Sequence, residues 1–156
     1  MKARVYMETS VIGYLTGRPS RDLVTAAHQQ ITHDWWECRN RFDLFVSQAV
    51  LAEAARGDRD AAARRLEVLK EVTVIPVTDE ATDLAERLIS EQAVADKAAI
   101  DAVHVAVAVV NGMDYLVTWN CAHIANAALR SKIERTCRQA GFQAPVICTP
   151  EELLEE

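Results

Sequence analysis

No apolar run in this 156-residue chain approaches the ~20 residues that a membrane-spanning helix needs. A signal-type hydrophobic core is missing as well. The N-terminus, MKARVYMET, leads straight into a strand pattern, so a cytoplasmic location is expected. The cysteines Cys38, Cys121, Cys137 and Cys148 form no CxxC pair, and no histidine stands at zinc-finger spacing from two of them. Reduced, mostly buried thiols are the expectation. Nor is there a basic excess: 23 acidic and 17 basic residues leave a net charge of −6. That balance argues against broad, non-specific nucleic-acid binding, which needs a basic face, but leaves room for a small local basic site. With no linker, repeat or low-complexity tract, the chain reads as one domain over residues 1–156. A chain of this size buries roughly 70% of its unfolded surface and needs no covalent staple.

What is present is an alternation of strand and helix patterns. Residues 1–7 read as a strand, followed at once by Glu8, Thr9 and Ser10. RPSRDLVTAAHQQITHDWWECRN reads as a helix with Ser20 as N-cap and Val24, Ala27, Ile31, Trp35 and Cys38 on one face. FDLFVS is a buried strand, and QAVLAEAARG a helix stopped by Gly57. DRDAAARRLEVLKE is an amphipathic helix capped by Asp58 or Asp60, and VTVIPV a strand ended by Pro76. TDEATDLAERLISE and DKAAIDAVHVAVAVVNG are two further helices. The second is so rich in Ala and Val that it must be buried on most sides, and Asn111-Gly112 suits its end. DYLVTWN is a strand, a helical segment then runs to about Ala140 before Gly141, and PVICT is the last strand. TPEELLEE opens on a capping box of Thr149 and Glu152, with Pro150 at the first helical position. Five strands separated by helices predict a three-layer α/β/α sandwich with a mainly parallel sheet.

In a parallel sheet all strands end at one edge, and sites form there. Glu8 lies just past the first strand, and Asn120 just past YLVT. Glu53 is in the second turn of the helix that leaves that edge after DLFVS. Asp101 is about one turn into the helix that precedes YLVT, and that helix also begins at this edge. Glu8, Glu53, Asp101 and Asn120 should therefore converge. Asp114 begins its strand at the opposite edge and is excluded. Clustered carboxylates repel and hold protons unless a cation intervenes. Mg²⁺ or Mn²⁺, hard and oxygen-liking, is the natural guest. Taken alone, Glu53 could equally be a helix-surface group, a reading that the apolar flanks Ile100, Val103 and Val105 weaken for Asp101, and the shared edge is what favours a site.

The segments YMETSVIGYL, SQAVLAE, DAVHVAVA and DYLVTWN, in this order and spacing, resemble the PIN-domain proteins across nearly the whole chain. The resemblance implies a compact PIN-like α/β/α nuclease, similar to VapC-type ribonuclease toxins of type II toxin–antitoxin pairs. It implies metal-ligand or metal-positioning roles for Glu8, Glu53 and Asp101, with Asn120 at the fourth position of the site. The expected activity is metal-assisted hydrolysis of RNA phosphodiesters in the cytoplasm, with RNA as substrate and an antitoxin protein as partner. Glu8 and Asp101 would be the primary ligands, Glu53 would bind through water or act as a base, and Asn120, Thr9 and Thr118 would orient waters. Two departures stand out. The family's first acid is usually Asp, and here it is Glu8. The fourth is often Asp, and here Asn120 brings an uncharged carbonyl oxygen. They leave one metal site and weaken a second, and they support an alternative: a PIN-like RNA- or protein-binding module with weak or no catalysis. A receiver-type signalling domain is disfavoured, because DLFVSQ and YLVTWN offer no phosphoacceptor Asp.

Several other residues have two readings. Arg18 and Arg21, after the first strand, read as solvated arginines or as phosphate contacts, and His123 is a candidate substrate contact. His104 reads as a hydrogen-bonded core histidine rather than a ligand, and Trp119 as packing rather than a stacking platform for a base. Trp35 belongs to the apolar face of its helix. Trp36, turned about 100° away, offers an exposed patch for a partner or is covered by the next helical hairpin. Trp36 and the apolar helix faces, with the family resemblance, predict a homodimer or a contact with a partner protein. Light scattering at micromolar concentration should give twice the chain mass. A monomer with no apolar patch above a few hundred Å² counts against the prediction.

Overall fold

The structure, a computed structural model, describes residues 1–154, with Lys97 described by its backbone alone. Five strands form the sheet: β1 (Ala3–Met7), β2 (Phe42–Ser47), β3 (Thr73–Ile75), β4 (Tyr115–Val117) and β5 (Val146–Cys148). Their order is β3-β2-β1-β4-β5, and every pairing is parallel. The helices are α1 (Thr9–Thr16), α2 (Leu23–Glu37), α3 (Gln48–Ala54), α4 (Arg59–Leu69), α5 (Asp79–Ser90), α6 (Ala99–Val110) and α7 (Ala127–Gln139). From β1 the chain moves outward through β2 to β3, then returns across to β4 and β5. Right-handed crossovers put the helices of the two directions on opposite faces, which yields three layers. The strand order reverses between β1 and β4, and that is where a parallel sheet opens a crevice beyond its strand ends.

β1 is the middle strand, and its Val5, Tyr6 and Met7 are fully buried. α6 is the most deeply set helix: Asp101, Ala102 and His104–Val109 are all buried. Its β-branched residues are weak helix formers, and burial on nearly every side outweighs that preference. Trp35, also fully buried, stacks on Phe42 with centroids 6.2 Å apart. No helix among the described residues is long and apolar enough to cross a membrane.

Local details differ from expectation in four places. Residues 9–16 form a separate helix, α1, which burial of Val11, Ile12 and Leu15 secures. The cap of α2 is Asp22, not Ser20: Asp22 Oδ2 accepts from Thr25 N at 2.9 Å, while Ser20 Oγ accepts from Asp22 N at 3.1 Å. The inner face of α2 is rotated from the expected one. Thr32 and Trp35 are buried, while Val24 is 64% exposed and Ala27 is also exposed, so this face of α2 is open to solvent among the described residues. The last helix is a single 3₁₀ turn, Pro150–Leu153, in which Glu152 Oε1 accepts from Thr149 N at 3.1 Å. Glu155 and Glu156 of the predicted segment lie outside the described residues. Of the two candidate caps for α4, Asp58 serves, accepting from Ala61 N at 2.9 Å.

Burial pushes the Cys137 thiol up to about 11 and the Cys148 thiol up to about 12. The thiolate is the reactive form, so neither reacts readily at neutral pH. Cys121 is exposed and Cys38 half-buried. Labelling with a thiol reagent at neutral pH, read by peptide mass spectrometry, should modify Cys121 first and Cys38 more slowly. Cys137 and Cys148 should react only on unfolding. Early labelling of Cys137 would show that α7 is not docked as described.

Candidate active site

The pairing of β1 with β4 builds the floor. Met7 is in register with Val117, and Glu8 N donates to the Val117 carbonyl at 3.0 Å. Glu8 is thus carried to the carboxyl end of β1, where it is also the N-cap of α1. Its side chain is only 5% exposed, a costly place for a carboxylate unless it is hydrogen-bonded. Three donors meet it: Ser10 Oγ at 2.5 Å and Thr118 Oγ1 at 2.6 Å on Oε1, and Ser10 N at 3.1 Å on Oε2. Ser10 Oγ also accepts from Trp119 N at 2.9 Å, which ties the start of α1 to the end of β4.

Ser47 ends β2 and caps α3, its Oγ accepting from Ala49 N at 3.2 Å. α3 then presents Glu53, half-buried, toward Glu8. Glu53 Oε1 accepts from Thr9 Oγ1 at 2.6 Å and is bonded to His104 Nε2 at 2.5 Å. Burial pushes the Glu53 carboxyl up, but the His104 and Thr9 hydrogen bonds and the Arg56 charge outweigh it, and the net position lies below the ordinary value. His104 is fully buried, and its Nδ1 shares a 2.7 Å hydrogen bond with Tyr6 Oη. Burial, aided by the Glu8 and Glu53 charges, pushes the Tyr6 phenol well above the ordinary range.

Asp101 lies in the first turn of α6 and is 9% exposed. Burial first, and the Glu8 charge second, push its carboxyl up. A hydrogen bond from Asn120 opposes this without cancelling it. Asn120 Oδ1 accepts from His123 N at 3.0 Å. The carbonyl already accepts one bond within its own turn, and the amide N–H is what meets Asp101.

Ligand atoms of Glu8, Glu53 and His104 all lie within 4.8 Å of one another. Asp101 stands outside that triad but within the field of Glu8. A hard divalent cation fits this set. The donors are carboxylate oxygens, burial and then the Glu8 charge hold the Asp101 carboxyl above its ordinary value, and no hydrogen bond among the described residues reaches Glu53 Oε2. His104 is a support rather than a ligand, since Tyr6 and Glu53 take both its nitrogens. Thr9 and Thr118 hold carboxylates. Trp119 is packed, stacked on His28 with centroids 4.0 Å apart and donating its indole N–H to Thr32 Oγ1 at 2.8 Å. Trp36 is half-buried under Arg39, whose guanidinium lies 4.5 Å from the ring centroid. Arg18 and Arg21 are exposed and separated from Glu8 by α1; the arginine whose charge acts on Glu53 is Arg56. Ser10 and Arg56 carried no role in the sequence reading. Ser10 was visible as the second of two hydroxyls after a strand-end acid.

The raised position of Asp101 fixes a sign. A folded-state value above the unfolded one stabilises the fold at low pH, and that contribution is lost as pH rises through the folded value. Asp101→Asn removes the penalty and keeps an acceptor for Asn120. In EDTA at neutral pH the variant should melt at the same temperature as the parent or higher, and the gap should close on acidification. A variant that melts lower at neutral pH would make Asp101 a structural anchor.

The PIN domain family model matches residues 5–126. No curated protein sequence matches the chain significantly. Among solved structures, a chain of VapBC2 from Rickettsia felis, bound to a DNA fragment from its promoter, superposes with a TM-score of 0.59 at 14% identity, over 94% of this chain and 98% of that one. VapC20 from Mycobacterium tuberculosis, a toxin that cleaves the sarcin–ricin loop, gives a TM-score of 0.59 at 19% identity, over 76% of this chain and 91% of that one. At such identities the likeness is one of fold. The family match covers most of the sequence, from within β1 through β4, and the chain belongs to the PIN-domain family.

Proposed function

We propose that this protein is a Mg²⁺- or Mn²⁺-dependent endoribonuclease, the toxin of a type II toxin–antitoxin pair acting in the cytoplasm. The observation that carries the reading is the approach of Glu8 and Glu53 to within 4.8 Å, with Asp101 in the field of Glu8, within a PIN-domain chain. Glu8, Asp101 and Glu53 would hold the ion. When bound, it supplies Lewis-acid relief of phosphate charge and lowers the pKa of a water. Ser10 and Thr118 fix the Glu8 carboxylate. Asn120 orients Asp101. Thr9 and His104 hold one oxygen of Glu53, so its other oxygen is left to accept a proton from the attacking water. His123 and the exposed Arg18 and Arg21 are proposed substrate contacts. The VapC20 likeness supports RNA as the substrate class, and the VapBC2 likeness supports an antitoxin protein as partner; a homodimer is part of the same proposal.

A second reading, a PIN-like module that binds RNA or protein with little catalysis, draws on one feature. Asn120 replaces a charge, and its oxygen already accepts one bond from His123. Cleavage of a mixed RNA pool decides between them. The parent protein should cut with Mn²⁺ or Mg²⁺ and stop with EDTA. Asp101→Asn should lose about 100-fold or more, as expected for several kcal/mol of metal-assisted stabilisation. Equal cleavage by the two proteins ends the mechanism. No cleavage by either, with a Mn²⁺-induced rise in melting temperature in the parent, favours the binding module.

A further inference from the structure

Tyr6 Oη bridges two polar groups beneath the site, Ser47 Oγ at 2.7 Å and His104 Nδ1 at 2.7 Å. The imidazole continues from Nε2 to Glu53 Oε1 at 2.5 Å. Tyr6, Ser47 and His104 are all fully buried. An apolar core could fill this space with no polar cost, and replacing a fully paired set by isosteric hydrocarbon is often nearly neutral. Here three polar side chains from β1, β2 and α6 form one line, and it ends on a single carboxylate oxygen at the site.

For a neutral His104 ring, the directions of these bonds follow from which atoms can donate and which can accept. A carboxylate only accepts, so His104 Nε2 carries a proton and donates it to Glu53. With one proton on the ring, Nδ1 is an acceptor, so Tyr6 O–H donates to it. The phenol oxygen must then accept from Ser47 O–H. Ser47 Oγ in turn accepts from Ala49 N at 3.2 Å, the bond that caps α3. The same helix carries Glu53. The chain of donors thus starts at one end of α3, passes through the sheet and α6, and returns to α3 one residue from its other end.

We propose that Tyr6 and His104 are positioning residues for Glu53: the Ser47–Tyr6–His104 relay fixes the imidazole with its proton on Nε2, and together with Thr9 it occupies Oε1 so that Oε2 alone faces the ion and the water. The effect on ion binding and cleavage rests on the reading under Proposed function. The direction of the relay does not. Tyr6→Phe keeps the ring and removes the hydroxyl that pairs with Nδ1. His104→Leu removes the donor to Glu53. His104→Gln returns an N–H near the Nε2 position.

Two measurements on the full chain test this. In the parent protein, ¹⁵N–¹H correlation of the imidazoles should show His104 protonated on Nε2 only, with Nδ1 as an acceptor. A proton on Nδ1, in either the neutral or the charged ring, overturns the relay whatever the metal does. The second is Mn²⁺ affinity by electron paramagnetic resonance, read beside kcat and KM on RNA. Tyr6→Phe and His104→Leu should each weaken Mn²⁺ binding or kcat by about tenfold or more, the usual range for groups that orient a ligand, with KM for RNA unchanged. His104→Gln should recover most of that loss. In a Glu53→Gln background, Tyr6→Phe should have no further effect on Mn²⁺ affinity. A merely structural role would lower the melting temperature without this pattern of split and rescue. Parent-level affinity and kcat in folded Tyr6→Phe and His104→Leu overturn the proposal. Failure of the parent to bind Mn²⁺ overturns the ion-site reading instead, and the tautomer measurement alone then decides the relay.

Discussion

Met7 opposite Val117, with the next amide donating to the Val117 carbonyl at 3.0 Å, is the contact on which the site depends. It joins the first strand to the fourth and sets which residues lie at the lip of the sheet. A slip of one residue would turn every side chain of β1 to the other face and carry Glu8 away from Thr118. With the register as it is, Ser10 and Thr118 reach one carboxylate from opposite ends of the sequence. Their bonds offset part of the cost of burying it.

The second support comes from economy in α3. Seven residues hold both a cap, Ser47, and the carboxylate Glu53 one residue from the end. A carboxylate near the C-terminus of a helix runs against the macrodipole. Hydrogen bonds from Thr9 and His104 and the charge of Arg56 compensate for it. The neighbours of Glu53 therefore do two jobs: they make the local charge tolerable, and they choose which oxygen is turned outward.

Strand and helix types, and hence a parallel five-stranded sheet with a polar edge, were legible because periodicity and breakers such as Gly57 and Gly141 carry them. Gly57 and Gly141 do adopt positive φ, at 84° and 88°. The helix α1 was not legible: it has eight residues, an uncommon cap in Glu8 and a glycine inside, so local preference is weak and tertiary burial decides. For α2 the spacing points to a face with Val24 and Trp35, and the burial of Thr32 instead of Val24 depends on where Trp119 sits, which no local pattern encodes. At the site, strand and helix polarity alone bring the acids to one edge. What they cannot give is the pairing of α3 with α6 that joins Glu53 to His104, or the turn that bonds Asn120 to His123. Arg56, whose charge reaches Glu53, follows a helix end, where no local pattern marks it.

The two outer strands, β3 and β5, are three residues each. Each carries an exposed valine, Val74 at 39% and Val146 at 59%, on an unpaired edge. Such an edge can recruit a strand from another molecule, yet at this length it offers only one or two backbone pairs, too few to hold a foreign strand in register. The sheet is thus protected from growth by brevity rather than by charge. Insertions that lengthened either strand would be tolerated by the fold but would convert a soluble edge into a nucleus for intermolecular β-pairing.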